Sequence, residues 1–172
     1  MVGPLRTGRS GFTHVLVAVD KFTKWIEAKP IKNLEASTDV SFIRELIFRY
    51  GVPHSIITDN GSNFDSDEFR AFCASQGMRV DYASIAHPQS NGKDERENGL
   101  ILKGPKPRLM RDLKHAARAW VDELPSVLWG LRTTPNWSTR RTPFFLVYGA
   151  KAVLPSDLLH NAPRVEIFSE EE

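Results

Sequence analysis

The sequence predicts a mixed α/β fold, a sheet flanked by helices, on three observations. Apolar periodicities of two and of 3.6 residues alternate in the order β-β-α-β-α-β-α-α. The first two strands lie close enough to form a hairpin, and each later strand is followed by a helical stretch. Residues 14–19, His14-Val15-Leu16-Val17-Ala18-Val19, form a β-branched run that reads as a buried strand. Residues 24–30 alternate weakly and supply its hairpin partner across a turn at Asp20-Lys21. Ser37 or Thr38 can cap a helix reaching Tyr50, with Val40, Ile43, Leu46 and Ile47 as its apolar stripe and Gly51 as its stop. Residues 53–58 are the next strand. Ser66-Asp67-Glu68 then opens a helix that turns Phe69, Phe72 and Cys73 inward and ends at Gly77.

Residues 78–82 make another short strand, and residues 88–92 a loop in which Ser90 or Asn91 can cap the following helix. That helix is expected to end near Gly104, because Pro105 and Pro107 do not fit a helix interior. A second long helix is predicted from about Asp112 to Thr133, with Ala117, Trp120, Val121, Leu124, Leu128 and Leu131 on one stripe and a kink or restart at Pro125. Residues 137–143 read as loop and residues 144–148 as a short helix.

At 172 residues the chain has the length of one domain with a sizeable core. Hydrophobic residues make up 41% and charged residues 26%, ordinary values for a globular protein. No apolar run is long enough for a transmembrane helix, and the start lacks a signal-peptide pattern. The single cysteine excludes an internal disulfide and suits a reducing, intracellular setting; Cys73 reads as core packing beside Phe69 and Phe72. The five histidines and one cysteine show no zinc-ligand spacing. Net charge is only +2, yet residues 87–141 hold eleven Lys/Arg against six Asp/Glu, and the chain closes on Glu170-Glu171-Glu172.

Two carboxylates stand out. Asp59 follows the strand residues Ser55-Ile56-Ile57-Thr58, and Glu95 falls in the first turns of a helix, with thirty-five residues between them. Alone, Asp59-Asn60-Gly61 is a turn signal and Glu95 a solvated helix residue. Together, a carboxylate at the carboxyl edge of a buried strand and another on a nearby helix can converge on a divalent cation that takes oxygen ligands. Arg96 and Lys103 are seven apart and so share a helix side, flanked by Lys93, Lys106 and Arg108. That basic stripe suits a phosphate backbone, although Asp94 and Glu97 interrupt it and a solvated charged face is the plain alternative.

The chain resembles the integrase catalytic core of gypsy-class long-terminal-repeat retrotransposons, in the superfamily of retroviral integrases. Its carriers are Val15-Leu16-Val17-Ala18-Val19-Asp20-Lys21-Phe22-Thr23-Lys24-Trp25, Arg49-Tyr50-Gly51-Val52-Pro53, Thr58-Asp59-Asn60-Gly61-Ser62-Asn63-Phe64 and His87-Pro88-Gln89-Ser90-Asn91-Gly92. Farther along come Leu124-Pro125, Leu131-Arg132-Thr133-Thr134-Pro135 and Thr142-Pro143-Phe144-Phe145-Leu146-Val147-Tyr148-Gly149. The resemblance spans residues 2 to about 158 and places the core at 1–158, with an acidic tail at 159–172.

The resemblance implies a ribonuclease-H-like mixed sheet and an Asp/Asp/Glu triad, Asp59 matching the second member and Glu95 the third. It also implies two Mg²⁺ or Mn²⁺ ions, trimming of DNA 3′ ends followed by strand transfer, element-end and target DNA as partners, a homo-oligomer, and no membrane. Location by family is the nucleus or a cytoplasmic particle. Residues 14–19 resemble the family's second strand, so Asp20 is expected not to be the first catalytic carboxylate. That residue is expected just before Met1, leaving the first strand truncated and the isolated chain without strand-transfer activity. Lys93-Asp94 and Pro105 depart from the family pattern. The alternative reading is an inactive remnant that binds DNA or self-associates through the helix carrying Trp120 and Leu131.

Overall fold

The computed structural model describes residues 1–58, 64–82 and 105–160, with the side chains of Pro105 and Lys106 excepted. Strand β1 (His14–Val19) pairs antiparallel with β2 (Ile26–Ile31), with His14 opposite Ile31 and Val19 opposite Ile26. Strand β3 (Ser55–Thr58) pairs in parallel with β4 (Arg79–Tyr82). Among the described residues these are two separate two-stranded ladders, where the sequence suggested one sheet. The other edge of β1 carries one antiparallel bridge, Val2 to Val15, closed by hydrogen bonds of 2.9 and 2.8 Å.

Period-two alternation sends the side chains of β1 to two different cores. Val15, Val17 and Val19 face one apolar cluster, with Ile26 and Ala28 of β2. Leu16 and Ala18 face the other, with Ile31. Helix α1 (Ala36–Tyr50) covers the second face through Val40, Phe42 and Ile43, and α2 (Asp67–Ser75) through Phe69 and Cys73. Ile56 of β3 and Val80 of β4 also pack there, so one helical layer joins the two ladders.

The first face is covered by α3 (Pro105–His115) through Leu109 and Leu113, and by α4 (Trp120–Thr133) through Trp120, Leu124, Leu128 and Leu131. Short helices α5 (Pro143–Tyr148) and α6 (Pro155–Leu159) follow; α6 runs one residue past the predicted boundary at 158. Among the described residues no helix is long and apolar enough to cross a membrane.

Three sequence expectations need correction. Neither Ser37 nor Thr38 caps α1; the helix begins at Ala36 with Glu35 at its N-cap, closed by the backbone bond from Thr38 N–H to Glu35 C=O at 3.0 Å. Residues 105–111, left outside the predicted helices, are helical, with Pro105 and Pro107 in the first turn of α3, where a residue has no intrahelical N–H bond to lose; the predicted helix end near Gly104 lies outside the described residues. The predicted 112–133 helix is two helices. The break falls at a 3₁₀ turn, Ala117–Ala119, where Ala117 takes φ +52°, and Pro125 sits inside α4. Gly51 stops α1 as expected, its φ of +86° lying where only glycine is unstrained.

Trp120 anchors the first face. It is fully buried, and its indole Nε1 donates to the Arg6 carbonyl at 2.8 Å. Gly8 permits that approach: a Cβ there would stand 2.7 Å from Val121 Cγ2 and 2.8 Å from Trp120 Nε1. Trp120→Ala is predicted to cost about 3–5 kcal/mol, the range for emptying a large buried aromatic site. Urea denaturation reads it as a lower midpoint with an unchanged slope; a midpoint within error of the parent would refute the anchor.

Candidate functional site

Strand β3 ends at Thr58, directly before Asp59. Asp59 and Glu95 lie outside the described residues, as do Lys93, Arg96 and Lys103 of the predicted basic stripe. The predicted cap at Ser90 or Asn91 lies outside them too. Lys106 falls within α3, and Arg108 on the same helix is exposed. Thr58 is 7% exposed, and its Oγ1 has no hydrogen-bond partner among the described residues. A buried oxygen of this kind suits a polar or ionic neighbour. Asp59 and Glu95 bring carboxylate oxygens, the donor type that Mg²⁺ and Mn²⁺ take. Among the described residues no group of three or more His, Cys, Asp and Glu side chains is placed to hold a metal.

Asp20, at the end of β1, spends its carboxylate on its own turn. Its Oδ1 accepts from Phe22 N–H at 3.2 Å, Thr23 N–H at 2.6 Å and Thr23 Oγ1 at 2.6 Å. The backbone closes the same turn, with Lys24 N–H donating to Asp20 C=O at 3.0 Å. Local side-chain acceptors of this kind shape turns. Asp20 is exposed and serves the hairpin.

The sequence reading did not single out Glu27, which gathers four donors. It is 9% exposed, and its Oε1 accepts from Tyr50 Oη at 2.5 Å and Trp25 Nε1 at 2.9 Å. Its Oε2 faces Arg132 at 3.1 Å and Arg49 at 3.2 Å. Arg132 also donates twice to the Ile26 carbonyl, at 3.0 and 2.8 Å, while its guanidinium lies 4.4 Å from the Trp25 ring centroid. Trp25 continues into an aromatic set with Tyr148 at 5.6 Å and Phe144 at 6.4 Å. The available signal was Trp25-Ile26-Glu27 itself, since residues two apart on a strand share a face.

Burial alone raises the Glu27 carboxyl. The Tyr50 and Trp25 hydrogen bonds and the Arg132 and Arg49 charges outweigh it and hold the pKa below the usual 4.5. Burial, then the bond to Glu27, pushes the Tyr50 hydroxyl above its usual 10.0.

The apolar stripe predicted on the second long helix faces inside the chain. Trp120, Leu124, Leu128 and Leu131 are all buried against the β1–β2 ladder, because that ladder's own apolar face needs a cover.

A mixed α/β chain with helices on both faces of its strands has a fold of the ribonuclease-H-like class. A family model described as the integrase core domain matches residues 2–88, half of the chain. The chain belongs to the integrase core domain family.

It is 31% identical over 171 residues to the Pro-Pol polyprotein of Simian foamy virus type 3 (strain LK3), covering 99% of this chain and 14% of that polyprotein. It is 34% identical over 148 residues to the Gag-Pol polyprotein of Feline leukemia virus, covering 85% of this chain and 8% of that one. The chain thus spans a small part of these relatives' length.

Among solved structures, the catalytic core domain of BIV integrase superposes with a TM-score of 0.55 at 24% identity, covering 81% of this chain and 88% of that one. The HTLV-2 integrase catalytic core domain, in a trimeric form with magnesium, gives 0.52 at 23%, covering 83% and 97%.

The Glu27 cluster sets the pH response of stability. A lowered Glu27 pKa means its contribution is complete above pH 4.5 and is lost as pH falls through the lowered value. A raised Tyr50 pKa means its contribution is complete below pH 10.0 and is lost as pH rises through the raised value. Tyr50→Phe is expected to lower stability near neutrality by about 1 kcal/mol and to remove that alkaline loss. Glu27→Gln, which strands two guanidinium groups, is expected to cost about 2–3 kcal/mol. Equal urea midpoints for parent and Glu27→Gln would contradict the cluster's role.

Proposed function

We propose that this chain is the catalytic-core segment of a gypsy-class retrotransposon integrase, trimming DNA 3′ ends and joining them to target DNA. The observation that carries the reading is the family match over residues 2–88, a span of sequence that includes Asp59. The retrotransposon assignment rests on the motif set, from Val15-Leu16-Val17 to Phe145-Leu146-Val147-Tyr148-Gly149.

Asp59 and Glu95 are the residues that would hold Mg²⁺ or Mn²⁺, two ions by family pattern. Such ions, when bound, stabilise charge on a phosphoryl group and activate the attacking oxygen. The protein's own part would be to position these carboxylates and the DNA ends. Lys93, Arg96, Lys103, Lys106 and Arg108 are assigned to the DNA backbone, where cations neutralise phosphates without reading sequence. The working form is a homo-oligomer, acting in the nucleus or a cytoplasmic particle.

Asp20 is not assigned to the metal, because its carboxylate is already engaged by three donors of its own turn. The same observation favours a second reading, a chain that binds DNA without cutting it, since the carboxylate that directly follows β1 is committed to its own turn.

Binding of Mn²⁺ followed by calorimetry tests the assignment. Asp59→Asn and Glu95→Gln are each expected to weaken binding tenfold or more, while Asp20→Asn leaves it within twofold. Binding that survives both substitutions would defeat the site. End-trimming abolished by Asp20→Asn would reverse the assignment of Asp20. Duplex DNA binding is expected to weaken steeply with salt and to fall on Lys103→Ala; a salt-insensitive complex would count against the basic stripe.

A further inference from the structure

The N-terminal segment and the α3–α4 junction enclose a basic cleft that the reading above does not use. Its main cavity, about 540 Å³, has Arg6, Thr7 and Arg118 among its lining residues. An adjoining cleft of about 250 Å³ shares Arg6 and is lined by Pro4, Leu5, Leu113, Lys114 and Ala117. Arg6, Lys114 and Arg118 make no ion pair with any described residue, and no carboxylate is among the described lining residues. The neighbouring acids are engaged elsewhere, Asp112 with Arg111 at 3.1 Å and Asp122 with Arg9 at 3.6 Å.

This clustering of like charge is held in place by the fold. The Arg6 carbonyl is fixed by the buried Trp120 indole at 2.8 Å, and Gly8 lets the segment lie against Trp120 and Val121. Arg118 stands two residues before Trp120, on the 3₁₀ turn that the positive φ of Ala117 opens. Two guanidinium groups distant in sequence are therefore tied to one anchor, with Lys114 beside them on α3. Three cations with no ion-pair partner among the described residues repel one another, and apolar walls such as Leu5 and Leu113 focus their field. An anion relieves that repulsion. Guanidinium groups favour phosphate oxygens in paired geometry.

We propose that this cleft is a second phosphate-binding site, taking backbone phosphates of a nucleic-acid duplex. The proposal rests on the DNA-binding reading above and extends it to residues outside the predicted stripe.

The test measures binding of a fluorescent duplex oligonucleotide across a potassium chloride series. The variants are Arg6→Ala/Lys114→Ala/Arg118→Ala, the charge-keeping Arg6→Lys/Arg118→Lys, and Lys103→Ala. Each phosphate contact contributes about 0.9 to the slope of log affinity against log salt. The triple alanine variant is expected to flatten that slope by about 2–3 and to lose roughly tenfold or more in affinity near physiological salt. The lysine variant is expected to keep most of the slope.

If Lys103→Ala weakens binding while the triple variant matches the parent, the cleft proposal fails and the DNA reading stands. If the parent binds no duplex at any salt, the DNA reading fails and takes the cleft with it. Inorganic tripolyphosphate is the second probe. Tripolyphosphate binding lost in the triple variant, with duplex affinity unchanged, would make the cleft a small-anion site and overturn the proposal. All three cations are exposed, so thermal unfolding of the variants is expected to match the parent.

Discussion

Glu27 is the buried charge around which the hairpin, α1 and α4 are arranged. A carboxylate this deeply buried is tolerated only when its oxygens are filled with donors. Here they come from three separate places: Trp25 just before β2, Tyr50 and Arg49 at the end of α1, and Arg132 in the last turn of α4. Arg132 then binds the Ile26 carbonyl and stacks on Trp25, which carries the constraint into the aromatic contacts of α5. The two helical layers are thus registered to β2 by directional bonds, where apolar packing alone would leave each helix free to slide. That registration matters for function because the candidate ligand follows β3, whose position depends on α1 and α2 through their shared core.

The strands and their order were legible in the sequence because period-two patterns survive in a half-buried hairpin and β-branched residues mark them. Val15, Val17 and Val19 against Leu16 and Ala18 is such a pattern, and it sorts onto two cores as read. The cap at Ser66 was legible too, since its hydroxyl accepts from Phe69 N–H at 3.2 Å, the N-cap geometry that residue type favours. Less legible were features set by tertiary context. Pro105 reads as a helix terminator, yet a proline at the first helical position is equally favourable, and only the buried Leu109 and Leu113 decide between the two. The break at Ala117 carries no glycine or proline to announce it. Helix α6 was missed, although Pro155 followed by Asp157, whose carboxylate accepts from Leu154 N–H at 2.8 Å, is a start signal.

The candidate site was read from spacing and residue type. Asp59 and Glu95 were singled out because each stands in a motif, and both lie outside the described residues. Strand order had already set Asp20 apart from the candidate ligands. What sequence did not give is its local use, Oδ1 accepting from three donors, a geometry that depends on how the hairpin turn closes. The Arg6–Arg118 cleft was invisible for a different reason. Its members are distant in the chain and meet only because Trp120 is buried against the N-terminal segment.

The central claim is that Asp59 and Glu95 bind one divalent cation at the carboxyl end of β3. Anomalous scattering from Mn²⁺ in crystals of the chain tests it most directly. The account predicts a peak within about 2.0–2.3 Å of an oxygen from each of the two carboxylates, in oxygen-rich coordination. A peak at Asp20, or full Mn²⁺ occupancy elsewhere with none between Asp59 and Glu95, would contradict it.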